Sequence, residues 1–214
     1  LKAEKPKEII STANLLGFNS IGLNKQFNSD EIDIIQRLDL EPKNPTDLKN
    51  QLRKNRWHFE IITVKCLTKA VARQAGRDRR VDLISFPLID EWKRNHLDKQ
   101  QANLMKASGC GYLIDLSLLL TDDPDILRKR ILFLKRNIDN ALKNNITIVA
   151  SSCAKNALEL RDPYGLVALL SLLNVKQENA LEMVSTAPWS LVDKNRAKLK
   201  DSYIAQGVWV IEDE

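Results

Sequence analysis

Histidine is scarce in this chain: two among 214 residues, His58 and His96, with no His-x-His pair. A cluster of hydrolytic metal ions needs several imidazoles and carboxylates gathered at strand ends. The shortage argues against metal-dependent hydrolysis, and we expect no metal and no cofactor bound by this chain. Cysteine is scarce too. Cys66, Cys110 and Cys153 lie far apart with no CxxC, which argues against a disulfide scaffold and for a reducing compartment, so we expect a cytoplasmic protein. No apolar run reaches the ~20 residues of a membrane span, and no basic segment leading into an apolar stretch opens the chain. Repeats, low-complexity tracts and Gly/Ser linkers are missing, so we expect one domain over residues 1–214 and no membrane partner. A nucleophile elbow is missing as well: Ser151 and Ser152 stand in Val-Ala-Ser-Ser-Cys rather than G-x-S-x-G. We expect them to bond a phosphate or the loop backbone, and we assign no catalytic residue.

What the chain does have is alternation. Short β-type runs trade with helical segments, the signature of βα units around a parallel sheet. The strands are expected at Ser20–Asn24, Ile34–Leu40, His58–Lys65, Asp82–Phe86, Tyr112–Asp115 and Ile146–Ala150, with Gly207–Ile211 as a seventh. Helix starts are legible at Asn44-Pro45, Thr68, Asp98, Asp123-Pro124 and Asp162-Pro163, where a capping side chain precedes a periodic run. Gly76 is expected to end the helix that Thr68 starts. On the longest helix Leu127, Ile131, Leu134, Ile138 and Leu142 form the expected core face. With 43% hydrophobic residues the chain can bury one sizeable core. The fold expected is a TIM-like (β/α) barrel of seven to eight parallel strands. The first helix, Pro6–Leu16, has no strand before it except Leu1–Ala3, so we expect part of a first strand to be missing.

The formal net charge is +5, from 33 basic against 28 acidic residues. Between Lys65 and Lys106 there are ten basic and five acidic residues, an excess that equals that of the whole chain. Lys69, Arg73 and Arg77 recur at i, i+4 and i+8, and Arg79 and Arg80 follow. Three cations on one helical ridge repel unless an anion lies opposite, and a phosphate backbone would supply it. That makes the ridge the first candidate for RNA contact. Trp92, Lys93 and Arg94, in a polar loop, are further candidates. Lys129, Arg136 and Lys143 form a second stripe opposite the apolar face of the longest helix. Trp57, Trp92, Trp189 and Trp209 do not alternate with the basic residues, so base stacking has no specific support. Asp39, Glu41 and Asp115 sit at strand C-termini, where barrel chemistry is found, but loop bonding and capping suffice for them.

The stretch from Ala150 to Val192 resembles the C-terminal block of the ribonuclease P protein component 3 family, the archaeal and eukaryotic p30 type. A paired-serine loop (Ser151, Ser152) leads to Leu160-Arg161-Asp162-Pro163 and a Leu-rich helix. Asn174-Val175-Lys176 follows, then a helix ending in Val184-Ser185-Thr186-Ala187-Pro188. Upstream, Asp39–Asn44, Arg79–Pro87 and Gly111–Leu116 are similar to the family's post-strand turn and two central strands. The resemblance implies a protein subunit of the ribonucleoprotein that removes 5′ leaders from precursor tRNA. It implies an RNA catalyst using magnesium, with this chain helping to fold and position that RNA. The partners implied are ribonuclease P RNA, precursor tRNA, component 2 and other protein subunits, with a heterotetramer formed with component 2. The family's barrel is similar to that of the polymerase-and-histidinol-phosphatase group, which leaves a metal-dependent phosphoesterase as the alternative function.

Overall fold

Side-chain caps start the helices where the sequence places them. The structure is a computed structural model that describes residues 6–24, 27–88 and 93–200 and the backbone of 203–205 and 208–209. Asn44 accepts a hydrogen bond from Asp47 N at 2.9 Å ahead of α2 (Pro45–Asn55). Thr68 accepts from Val71 N ahead of α3 (Lys69–Arg77), and Asp98 from Gln101 N ahead of α4 (Lys99–Ser108). Asp123 and Asp162 each accept from two backbone N–H groups ahead of α5 (Pro124–Lys143) and α6 (Pro163–Leu172). In both a proline takes the first helical position, where its missing N–H costs nothing. Helices α1 (Pro6–Leu15), α7 (Gln177–Val184) and α8 (Thr186–Lys198) complete the described set.

Two punctuation residues act differently from expectation. Gly76 lies inside α3 and does not end it. A Cβ there would stand 2.1 Å from Gln101 Nε2, so this glycine lets α4 press against α3. Pro188 sits in the first turn of α8 rather than closing the helix before it.

Six strands run parallel in strictly sequential order. They are β1 (Ser20–Leu23), β2 (Asp33–Leu40), β3 (Ile61–Lys65), β4 (Leu83–Ser85), β5 (Gly111–Asp115) and β6 (Ile148–Ser151). The sheet curls into a half-barrel whose edges are β1 and β6, so the described residues supply six of the seven to eight strands expected. The candidate seventh strand is corrected. Its described part, β8 (Val208–Trp209), pairs antiparallel with β7 (Tyr203–Ala205) in a separate ribbon. Leu1–Ala3 lies outside the described residues. His58 does not begin β3; it ends a single 3-10 turn, Arg56–His58.

Strand side chains alternate between two buried faces, which is why the strands read as nearly continuous apolar runs. On the convex face Ile62, Val64, Ile84, Tyr112, Ile114 and Ile148 pack against helices α2 to α7. Burying such a Val or Ile side chain contributes roughly 1.5–3 kcal/mol each. The α5 contribution is Phe133, Leu134, Ile138 and Ala141, with Leu127 and Ile131 partly buried. Leu142 is 37% exposed, so the apolar stripe turns away one position earlier than expected. On the concave face Ile35, Ile61, Leu83, Leu113 and Val149 meet Ala187 and Val192 of α8. That helix is fastened at the N-terminal ends of the strands. Asn195 donates to Glu60 O and to Asp82, each at 2.8 Å, and Arg196 grips Asp33 through two 2.8 Å bonds while also pairing with Glu60. No described helix is long and apolar enough to cross a membrane.

Candidate nucleic-acid interface

The expected ridge exists as a row, but its members have different surroundings. Lys69 Nζ lies 2.6 Å from Asp98 and also donates to the backbone oxygens of Arg94 and His96. Arg73 makes two 2.8 Å bonds to the same carboxylate and a third to Gln101. Asp98 is the cap of α4, so the anion opposite this part of the ridge comes from within the chain. Burial alone would raise the Asp98 carboxyl, but the bonds from Arg73 and Lys69 outweigh it and hold it well below the usual carboxylate range. Arg80 is likewise bonded to Asp78 through two nitrogens. Arg77 bonds only the neutral Gln74 and is exposed, and Arg79 is exposed with no ion pair among the described residues. The row therefore splits: Lys69, Arg73 and Arg80 are neutralised by carboxylates of the chain, whereas Arg77 and Arg79 have none among the described residues.

Lys93 and Arg94 are exposed in the loop after β4. Trp92 lies outside the described residues. His96 follows on this loop with its imidazole pKa lowered, first by burial and then by the charges of Arg136 and Lys69. The loop and α5 therefore adjoin. Lys129, Arg136 and Lys143 are all exposed along α5, without ion pairs among the described residues.

At the C-terminal ends of the strands, where barrel enzymes place their chemistry, the polar groups bond one another. Arg37 and Asp39 pair at 2.7 Å on the concave side, and Lys65 and Glu41 pair at 2.7 Å just above. Asp115 accepts from the backbone N and hydroxyl of Ser117. Ser151 Oγ accepts from Cys153 N at 3.2 Å, stabilising a residue with φ of +48°. Burial pushes the Cys153 thiol up to about 12, so it stays protonated and unreactive at neutral pH. Ser152 faces a cavity of about 560 Å³ between the two sheet edges, lined also by Ile35, Arg37, Ser151 and Trp189. Among the described residues no three His, Cys, Asp or Glu side chains converge as metal ligands would. His58 and His96 are far apart in the fold, one in the turn before β3 and one ahead of α4.

Two features escaped the sequence reading. Arg37 is a charge pointing inward from the middle of β2, visible only as a polar break in an apolar run. The second is an exposed group at the end of α2: Arg53, Lys54, Trp57 and His58, with Trp57 72% exposed. Here an aromatic does stand among basic residues, contrary to expectation. Lys49, Arg53 and Trp57 recur every four residues, which is the signal that could have found it.

Residues 2–200 match a family described as RNase P subunit p30. Among curated proteins, ribonuclease P protein component 3 of Methanosarcina acetivorans is 28% identical over 182 residues, 85% of this chain and 74% of that one. The component 3 of Methanosarcina mazei is 26% identical, covering 99% of this chain and 92% of its own. That of Methanocaldococcus jannaschii is 24% identical over 86% of this chain. A chain in the cryo-EM structure of archaeal ribonuclease P with mature tRNA superposes with a TM-score of 0.85 at 21% identity. The overlap covers 100% of this chain and 97% of that one, so the two share a fold.

Proposed function

We propose a role that proceeds from one premise: the chain belongs to the RNase P subunit p30 family and is a protein subunit of ribonuclease P. In this reading the complex removes 5′ leaders from precursor tRNA in the cytoplasm, and its RNA carries the chemistry with bound magnesium ions. This chain helps to fold and position that RNA and contributes no catalytic residue. The carrying observation is the extent of the family match, which spans every element that builds the parallel sheet and its helices.

The partners follow the same premise: the catalytic RNA, precursor tRNA held by the assembled particle, component 2 and other protein subunits. A heterotetramer with component 2 is part of the proposal. Among the basic residues, Arg77, Arg79, Lys93, Arg94, Lys129, Arg136 and Lys143 are exposed and are the phosphate contacts of this reading. Lys69, Arg73 and Arg80 reach RNA only by sharing their carboxylate partners. Ser151 and Ser152 serve their loop and the cavity wall. A barrel of seven to eight strands remains part of the proposal.

Reconstitution tests the role. Adding this chain together with component 2 to the cognate RNA is expected to lower the magnesium concentration needed to cleave precursor tRNA. An identical magnesium requirement with and without the pair would overturn it.

A further inference from the structure

In a βα sheet each helix ends beside the N-terminal ends of the strands, so residues from helix C-termini gather on one rim. Here that rim is basic. The last turn of α2 carries Arg53 and Lys54, α3 ends in Arg77 with Arg79 just beyond, and α8 ends in Lys198 with Lys200 just beyond. These positions belong to three well-separated stretches, and contacts join them into one surface. Arg56, next to Trp57, donates to Asp82, which also accepts from Asn195 of α8. Lys198 bonds Asn195 Oδ1, and its ammonium pKa is lowered by burial and then by the charges of Lys194 and Arg56. Lys194 Nζ lies 3.9 Å from the Cβ position at Gly109, the cap of α4. One residue earlier, Ser108 donates to Gly76 O beside Arg77.

On the opposite rim Lys65, Lys69 and Arg73 each face a carboxylate, while Lys93 and Arg94 are exposed in the loop after β4. On the basic rim, Arg53, Lys54, Arg79 and Lys194 have no ion pair among the described residues. Each helix C-terminus carries roughly half a negative charge, enough to hold about one cation in a last turn. The excess beyond that is unpartnered, and Trp57 stands in its midst, 72% exposed.

We propose that this rim, at the N-terminal ends of the strands, is the RNA-docking surface of the chain, with its cations on the phosphate backbone and Trp57 stacked on an unpaired base. The inference rests on the RNA-binding reading above and deepens it. It moves the contact from the start of α3 to the far end of the molecule. Charge complementarity selects a polyanion, and an exposed indole among the cations selects one with accessible bases.

The test uses the full chain and two labelled probes, a single-stranded oligouridylate and an abasic chain of the same length, titrated across salt concentrations. Arg77→Ala with Arg79→Ala should reduce the slope of log affinity against log salt by roughly 0.7 per lost contact, for both probes. Trp57→Ala should weaken oligouridylate by about 5- to 150-fold, leave its salt slope unchanged and leave the abasic chain unaffected. Trp57→Phe should restore most of that loss. An unchanged thermal midpoint establishes that each variant is folded. If the rim variants keep the full slope while Lys129→Ala with Arg136→Ala flattens it, the rim is wrong and RNA binding stands. A wild-type chain that binds neither probe at low salt removes the RNA-binding reading and the rim with it.

Discussion

Asp82 is 6% exposed and bonds three elements at once. It accepts from Ile62 N at 2.8 Å, from Arg56 at 3.0 Å and from Asn195 at 2.8 Å, tying β3, the 3-10 turn and α8 to the start of β4. Arg56 is 8% exposed, so removing its partner strands a buried cation. We expect Asp82→Ala to lose about 3–5 kcal/mol of stability, measured by urea unfolding. Loss under 1 kcal/mol would show that water reaches Arg56 and replaces the carboxylate. Capping residues such as Asp98 and Asp162 were legible in the sequence because a cap bonds within its own first turn. Asp82 was not, since its partners stand 26 and 113 residues away. The same limit hid the Asp98 pairing. Arg73 and Asp98 are 25 residues apart, and i, i+4 spacing on one helix says nothing of a carboxylate arriving from the next.

Among the elements, α3 and α4 approach closely at Gly76, where a Cβ would stand 2.1 Å from Gln101 Nε2. Gln101 is fully buried and donates to Ala72 O at 2.8 Å, reaching over the bare backbone of Gly76. Alanine at 76 would be favoured by helix propensity by about 1 kcal/mol. Its methyl would nevertheless occupy the Gln101 amide's place and leave a buried donor unpaired, a cost of about 1–3 kcal/mol. We therefore expect Gly76→Ala to be neutral to destabilising, and Gly76→Ala with Gln101→Ala to recover part of the loss. A single variant with a thermal midpoint clearly above that of the wild type would refute the packing argument. Read as punctuation, this glycine suggested a helix end. Local chemistry cannot distinguish a stop from a contact. Strand and helix order, in contrast, was legible almost throughout, because apolar period and caps agree over each βα unit. A 3-10 turn takes the start of the strand expected from His58, an antiparallel ribbon replaces the seventh strand, and Asp82–Phe86 and Ile146–Ala150 become Leu83–Ser85 and Ile148–Ser151.

For the molecule as a whole, four groups give acid sensitivity one direction. Asp39, Asp78 and Asp98 all have lowered carboxyl pKa values: burial raises each, and Arg37, Arg80 and Arg73 respectively outweigh it. A depressed folded value means the stabilisation is complete above the unfolded pKa near ~3.9 and is lost as pH falls below it. His96 is lowered also, by burial first, so the unfolded chain takes up its proton sooner and stability begins to fall below about 6.5. We expect a shallow decline in thermal midpoint from pH 7 to 5 and a steep one below 4, the latter reduced in Asp98→Asn. A midpoint that rises on acidification would contradict the sign. The strictly sequential strand order has a further consequence, in time. On the ribosome each strand can pair with its predecessor as soon as it emerges, so the sheet grows in one direction. Its concave face has no such local partner. Ile35, Ile61 and Leu83 stay bare until α8 is made, and the fastening of Arg196 to Asp33 spans 163 residues. The nascent chain should therefore carry an apolar groove through most of its synthesis. A chaperone that holds apolar surface would be released when residues 186–198 clear the exit tunnel and the helix drops into place.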